Sequence, residues 1–149
     1  MERHEEAVMY CLTANGETFV VPEPDLGEGW SRPDFIAIRP SKKKAYLVEV
    51  TTSGNPVGLV KKVNSREKQW MELYRQLLEK LGIADHTWSY GVLIFVRSDQ
   101  YDWFRTKIDD RRDVTLLRLE EAMANWEWSD RVGTPDFEFE TDALKRTAE

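Results

Sequence analysis

The sequence predicts an α/β fold in which a central mixed β-sheet carries helices on both faces. Three patterns indicate this class: two neighbouring strands at 34–39 and 45–51, a long amphipathic helix at 57–81, and a further apolar strand at 89–96. An antiparallel hairpin that continues through a crossover helix into another strand produces a sheet with both strand directions. The second hairpin strand is almost continuously apolar, which is typical of a central strand covered on both faces.

The hydrophobic periodicity assigns the other elements in order. Residues 2–14 show helical spacing, and residues 18–21 form a short apolar strand. The amphipathic helix from about Val57 to Leu81 presents core-facing residues three or four positions apart. The remaining elements are a short helix at 101–108, a strand at 113–119 and a helix at 120–128.

Size and composition predict a single domain spanning residues 1–149. The chain has 149 residues, of which 41% are hydrophobic and 32% charged, as in ordinary globular proteins. We expect a core at about 2–128 and an acidic tail at 129–149. No apolar run approaches the roughly 20 residues of a membrane span, and the first residues are acidic rather than signal-like. A cytoplasmic location without membrane contact is therefore expected.

The charge distribution points toward a phosphate-containing partner, although the net charge of −6 points away from one. Residues 32–82 contain eleven lysines and arginines against five acids, a local net charge of +6. The rest of the chain therefore carries −12. The basic charge is concentrated in the same region as the hairpin.

Each strand of the hairpin carries one carboxylate, Asp34 and Glu49. If Arg39 pairs with Lys44 across a four-residue loop, the antiparallel register sets Asp34 opposite Glu49. Opposed residues lie on one face with Cβ atoms about 4.5–5.5 Å apart. Two carboxylates that close repel each other unless a cation lies between them, and a hard ion such as Mg²⁺ suits oxygen ligands. The alternative is that Glu49 faces solvent or pairs with an arginine such as Arg32.

The sequence Pro33-Asp34, followed by Glu49-Val50-Thr51 on the neighbouring strand, resembles the signature of the PD-(D/E)xK nuclease superfamily. The helix, three-strand, helix, strand order is similar to the core of that family, over roughly residues 2–119. The resemblance implies a restriction-endonuclease-like core and metal-dependent hydrolysis of phosphodiester bonds, in DNA rather than RNA. It also implies a homodimer or a larger assembly as one form of the protein.

The resemblance implies a set of metal ligands for Mg²⁺ or Mn²⁺. Asp34 and Glu49 would supply carboxylates, and the backbone carbonyl of Val50 would be a third ligand. A carboxylate on the first helix often assists in this superfamily, and Glu5 or Glu6 stands at that place.

Thr51 stands where the superfamily has a lysine that positions or deprotonates the attacking water. Two interpretations follow. The ammonium group comes from the next helix, with Lys62 favoured over Lys68. Alternatively, the fold is retained without catalysis, and the protein is a regulatory or assembly subunit that binds nucleic acid or protein. A third reading is an unrelated α/β domain whose hairpin carboxylates are structural.

Several further residues are candidates for contact with nucleic acid. Gln69, with Tyr74, loosely resembles a family patch on the helix after the signature strand. The alternative role for the basic candidates is a solvated surface. The full set is Lys42, Lys43, Lys44, Lys61, Arg66 and Gln69.

Overall fold

The computed structural model describes residues 2–24 and 32–127. The prediction of an acidic tail at 129–149 lies outside these residues. Five strands form one mixed sheet in the order β1-β2-β3-β4-β5. They are β1 Phe19–Pro22, β2 Phe35–Arg39, β3 Lys44–Val50, β4 Ser89–Val96 and β5 Val114–Arg118.

The strand directions confirm the predicted mixed sheet. β1, β2 and β3 pair antiparallel, whereas β3, β4 and β5 pair parallel. The apolar strand β3 is the central one, with residues 45–48 all buried. A parallel strand must be covered on both faces, and this accounts for its lack of alternation.

Helices cover both faces of the sheet, as predicted. The helices are α1 Arg3–Thr13, α2 Val57–Asn64, α3 Glu72–Lys80, α4 Ser98–Lys107 and α5 Leu119–Glu127. α1 and α5 pack on one face around Val8 and Val48. α2, α3 and α4 pack on the other around Leu47 and Val63. Among the described residues, no helix combines the length and the apolar composition needed to cross a membrane.

The prediction of one continuous helix from Val57 to Leu81 is wrong in detail. α2 ends at Asn64, and a π-helical segment at Glu67–Met71 precedes α3. At the break, the Ser65 hydroxyl donates to the carbonyl of Lys61 at 2.8 Å, a local bond that bends helices. The apolar spacing continues through the break, so periodicity alone does not reveal it. α3 is followed by Gly82 in the left-handed region (φ 73°), where glycine is favoured.

The hairpin register is as predicted from the loop length. Arg39 pairs with Lys44, and Phe35 pairs with Val48. Between the strands, a short 3-10 turn at Pro40–Lys42 leads to Lys43 in the left-handed region. The same register, extended by one residue, sets Asp34 opposite Glu49.

Candidate functional site: a carboxylate cluster at the sheet edge

The Glu49 side chain lies on the face of the hairpin that packs against α2. Glu49 alternates with Leu47 along β3, and Leu47 belongs to the core beneath α2. Glu49 lies near the carboxyl end of β3, directly beside Ile94 of the parallel strand β4. Both carboxylates are therefore at the edge where the parallel strands end, which is the usual ligand-binding edge of α/β sheets.

The backbone of β3 holds the Asp34 carboxylate in place. The N–H of Val50 donates to Oδ2 of Asp34 at 2.7 Å. On the other side of β2, the N–H of Glu23 donates to the Asp34 carbonyl at 2.8 Å. Asp34 is thus a half-buried side chain with a defined orientation, tied to the strand that carries Glu49.

The first helix brings Glu5 to this pair. Glu5 is close enough to Asp34 for its charge to raise the pKa of that carboxyl, and its Oε2 accepts the N–H of Glu2 at 3.0 Å. Glu6 is the next residue around α1 and is exposed. Of the two candidates on the first helix, the structure therefore brings Glu5 to the pair.

The crowding of negative groups changes the acidity of the cluster. Burial, with a further contribution from the charge of Asp34, raises the pKa of Glu49 to about 8. Burial also raises the pKa of Asp34, against the opposing effect of the Val50 N–H, and the charge of Glu5 adds to the rise. Both carboxyl groups therefore hold a proton more readily than an exposed acid does, with burial as the largest cause.

Lys62 and Lys68 occupy different ends of the sheet. Lys62 on α2 is close enough to Glu49 for its charge to lower the pKa of that carboxyl. Lys68 lies in the π-helical segment and lines a cleft of about 780 Å³ with Asp109 and Asp113, next to the start of β5. Glu49 is at the carboxyl end of the parallel strands, whereas this cleft is at their amino end.

The Thr51 side chain forms part of a turn, and it carries no charge. Its hydroxyl accepts the N–H of Ser53 at 3.1 Å, and the Ser53 hydroxyl accepts the N–H of Asn55 at 3.0 Å. The Thr51 N–H donates to the carbonyl of Phe95 at 2.9 Å and extends the β3–β4 pairing. Thr51 therefore shapes the loop that leads into α2.

The donor set fits a hard divalent ion in its chemistry. Asp34 and Glu49 offer carboxylate oxygens, and Val50 between Glu49 and Thr51 offers a backbone carbonyl. Among the residues that the structure describes, no group of three or more His, Cys, Asp or Glu side chains has the arrangement of a complete metal site. If an ion binds here, Asp34 and Glu49 would supply two side-chain ligands, and a backbone carbonyl or water would supply the rest.

The basic hairpin tip is distant from the carboxylates. Lys42 and Lys43 are exposed, and Lys44 begins β3 five residues before Glu49. At about 3.3 Å per residue this separation is about 16 Å along the strand. The positive charge that clusters in the sequence is thus divided between the two ends of the sheet. Lys61 is exposed on α2, next to Lys62.

Arg66 and Tyr74 are held inside the fold. The Arg66 guanidinium donates to both carboxylate oxygens of Asp113, with Nε–Oδ2 at 2.9 Å, and also to the carbonyls of Val63 and Asp110. Arg66 is only 9% exposed, so it is not a surface cation. Its hydrogen bonds connect the helix break with the residues just before β5. Tyr74 is fully buried and hydrogen-bonds the carbonyls of two strands. Gln69 is half-buried in the π-helical segment.

Two further residues at this end of the sheet were not candidates in the sequence. His4, beside Glu5, is close enough for its charge to lower the pKa of Asp34. Arg97 directly follows β4, and its guanidinium lies against the backbone of Gly54. Neither has a motif around it, and only the pairing of β3 with β4 brings Arg97 to the loop after Thr51.

Comparison of the chain with protein-family models, with curated proteins and with solved structures found no match.

Proposed function

We propose that this protein is a divalent-metal-dependent nuclease that acts on DNA in preference to RNA. The observation that carries the proposal is the convergence of Asp34, Glu49 and Glu5 at one sheet edge, with Lys62 beside Glu49. A cluster of half-buried carboxylates destabilises the folded protein unless it binds a cation or takes up a proton. The resemblance of residues 33–51 to the PD-(D/E)xK signature supplies the reaction class.

In this proposal, Asp34, Glu49 and the carbonyl of Val50 hold Mg²⁺ or Mn²⁺. The ion, when bound, would lower the pKa of a water molecule and neutralise charge on the scissile phosphate. The chain's own residues set the geometry. The Val50 N–H orients Asp34, and Glu5 acts on the same carboxylate through its charge.

Lys62 takes the place of the missing signature lysine. Its helix follows β3 directly, and its charge already acts on Glu49. An ammonium group close to the carboxylates can stabilise negative charge that develops on a neighbouring phosphate. Lys68, in the cleft at the amino ends of the strands, provides a matched comparison on the same stretch of chain.

The test is cleavage of supercoiled plasmid, branched DNA and single-stranded RNA with Mg²⁺, Mn²⁺ or EDTA. We expect metal-dependent cleavage of DNA that is lost in Asp34→Ala and in Glu49→Ala. Lys62→Ala should lower kcat by about 100-fold, as removal of one transition-state donor does. Lys68→Ala should leave kcat near the wild-type value. A folded wild-type protein that cleaves none of these substrates with either metal would refute the proposal.

The second candidate is a nuclease-fold protein that binds nucleic acid or a protein without cleaving. The observation in its favour is Thr51, whose hydroxyl is committed to the turn at Ser53 and brings no charge to the site. In the same assay this candidate predicts DNA binding without cleavage, unchanged by Lys62→Ala. A subunit that binds only protein would show neither DNA binding nor DNA cleavage.

A further inference from the structure

Arg97 lies at the same sheet edge as the carboxylate cluster, one strand away. Ile94 pairs with Glu49, and Thr51 donates to the carbonyl of Phe95. Arg97 follows three residues after Ile94, about 10 Å along the strand direction. A nucleic-acid strand covers that distance with about three nucleotides, given an axial rise of about 3.4 Å per nucleotide.

The loop between β3 and α2 leaves space for the Arg97 guanidinium. A Cβ atom at position 54 would lie 3.2 Å from Nη1 of Arg97. Glycine at this position therefore allows the guanidinium to lie directly against the backbone. The loop is itself shaped by the Thr51 and Ser53 hydroxyls, so the residue that replaces the signature lysine helps to form the contact.

A neighbouring carboxylate orients the guanidinium without covering it. Nη2 of Arg97 donates to Oδ2 of Asp99 at 2.5 Å, and the Arg97 side chain is 44% exposed. An arginine has five N–H donors in a planar fork that matches a phosphate group. The Asp99 contact involves one nitrogen of the fork, and the half-exposed side chain lies at the edge of the sheet.

We propose that Arg97 is a phosphate-binding residue that positions the nucleic-acid strand beside the carboxylate cluster, at a phosphate a few nucleotides from the scissile bond. The proposal rests on the proposed nuclease function. It assigns Arg97 to substrate binding and leaves the reacting atoms to Asp34, Glu49 and Lys62.

Arg112 provides a matched control. It is an exposed arginine that pairs with a carboxylate two residues away, Asp110, as Arg97 pairs with Asp99. It lies just before β5, at the amino end of the parallel strands. Arg97→Ala and Arg112→Ala change the net charge equally. A difference between their effects on DNA binding therefore depends on where each arginine lies.

The experiment measures binding of a fluorescein-labelled DNA strand and its duplex by anisotropy over a series of salt concentrations. Calcium or EDTA replaces magnesium so that the DNA stays intact. Arg97→Ala should weaken binding about three- to tenfold and reduce the slope of log K against log salt by about 1. Arg97→Lys should restore part of the affinity, since it keeps the charge but not the fork. In cleavage with Mg²⁺, Arg97→Ala should raise KM more than it lowers kcat.

Equal effects of Arg97→Ala and Arg112→Ala, or no effect of Arg97→Ala, would overturn the role of Arg97. If metal-dependent cleavage is still lost in Asp34→Ala and Glu49→Ala, the proposed nuclease function stands in that case. If the folded wild-type protein neither binds nor cleaves DNA, both proposals fail.

Discussion

The position of the Glu49 carboxylate within the apolar strand β3 is energetically unfavourable. It is half-buried between Val48 and Val50, both buried, and it faces another carboxylate. Burial of an ionised carboxylate is unfavourable. A hydrogen bond from the backbone of Asp34 lowers the pKa of Glu49 and offsets part of the effect of burial. The charge of Lys62 opposes the rise in the pKa of Glu49 without cancelling it.

The raised pKa of Glu49, about 8, predicts a loss of stability as the pH rises. The folded protein retains a proton on Glu49 that the unfolded chain releases near its ordinary pKa of 4.5. The stabilising effect of this proton is complete below about pH 4.5 and disappears as the pH passes 8. Between these limits the free energy of unfolding should fall by up to about 1.4 kcal/mol per pH unit.

Urea denaturation at several pH values without divalent metal checks this. Glu49→Gln should remove most of the decline and be more stable than the wild type at pH 8. Glu72→Gln, on the exposed side of α3, is the control and should decline with pH as the wild type does. A wild-type stability that rises from pH 5 to pH 8 would contradict the assignment.

At the scale of secondary-structure elements, local sequence accounts for the hairpin register but not for the break in the helix that follows. The hairpin register follows from a short loop and from the apolar pattern of its strands. The helical stretch at 57–80 instead breaks at Ser65, where Arg66 turns inward to Asp113. That partner is 47 residues away in the sequence, so no local pattern indicates it.

Arg66→Met should lower the free energy of unfolding by about 2–3 kcal/mol, because it leaves the Asp113 carboxylate without its partly buried partner. The expected cause is loss of the link between the helix break and the start of β5. Chemical denaturation measures the change. Arg112→Ala, which removes an exposed arginine near the same loop, should have no measurable effect on stability. Similar stabilities for both variants would mean that the Arg66 contact is not structural.

At the scale of the whole molecule, the sheet topology collects the functional candidates at one edge. β3 and β4 are parallel, so Glu49 and Arg97 come to the same end of the sheet from distant parts of the sequence. The antiparallel strand β2 begins where β3 ends, which adds Asp34. α1 then contributes Glu5 from the other face.

Mg²⁺ should therefore stabilise the folded protein as a whole. At a concentration about ten times its Kd, the ion should add about 1.4 kcal/mol to the free energy of unfolding, and Tm should rise accordingly. Thermal unfolding at pH 8 measures this. The effect should vanish in Asp34→Ala and Glu49→Ala and persist in Lys68→Ala. The same rise in all four proteins would indicate ion binding elsewhere.

The fold class and the carboxylate pair could be predicted from the sequence, because both depend on short-range patterns. The apolar runs of β2 and β3 and the loop between them each extend over fewer than ten residues. The choice between Glu5 and Glu6 could not be predicted, since it depends on how α1 is rotated against the sheet. The separation of Lys62 from Lys68 depends in the same way on the path of the helices across the sheet.

By itself, the sequence determined the position of each carboxylate in the hairpin and the register that sets Asp34 opposite Glu49, since two apolar runs joined by a short loop leave little freedom. The tertiary structure alone decided which groups join that pair. Glu5, Lys62 and Arg97 reach the sheet edge through packing of α1, the crossover of α2 and the parallel pairing of β4. Arg66 was held elsewhere by its contact with Asp113, 47 residues away, because side chains distant in sequence are brought together by packing of the whole core.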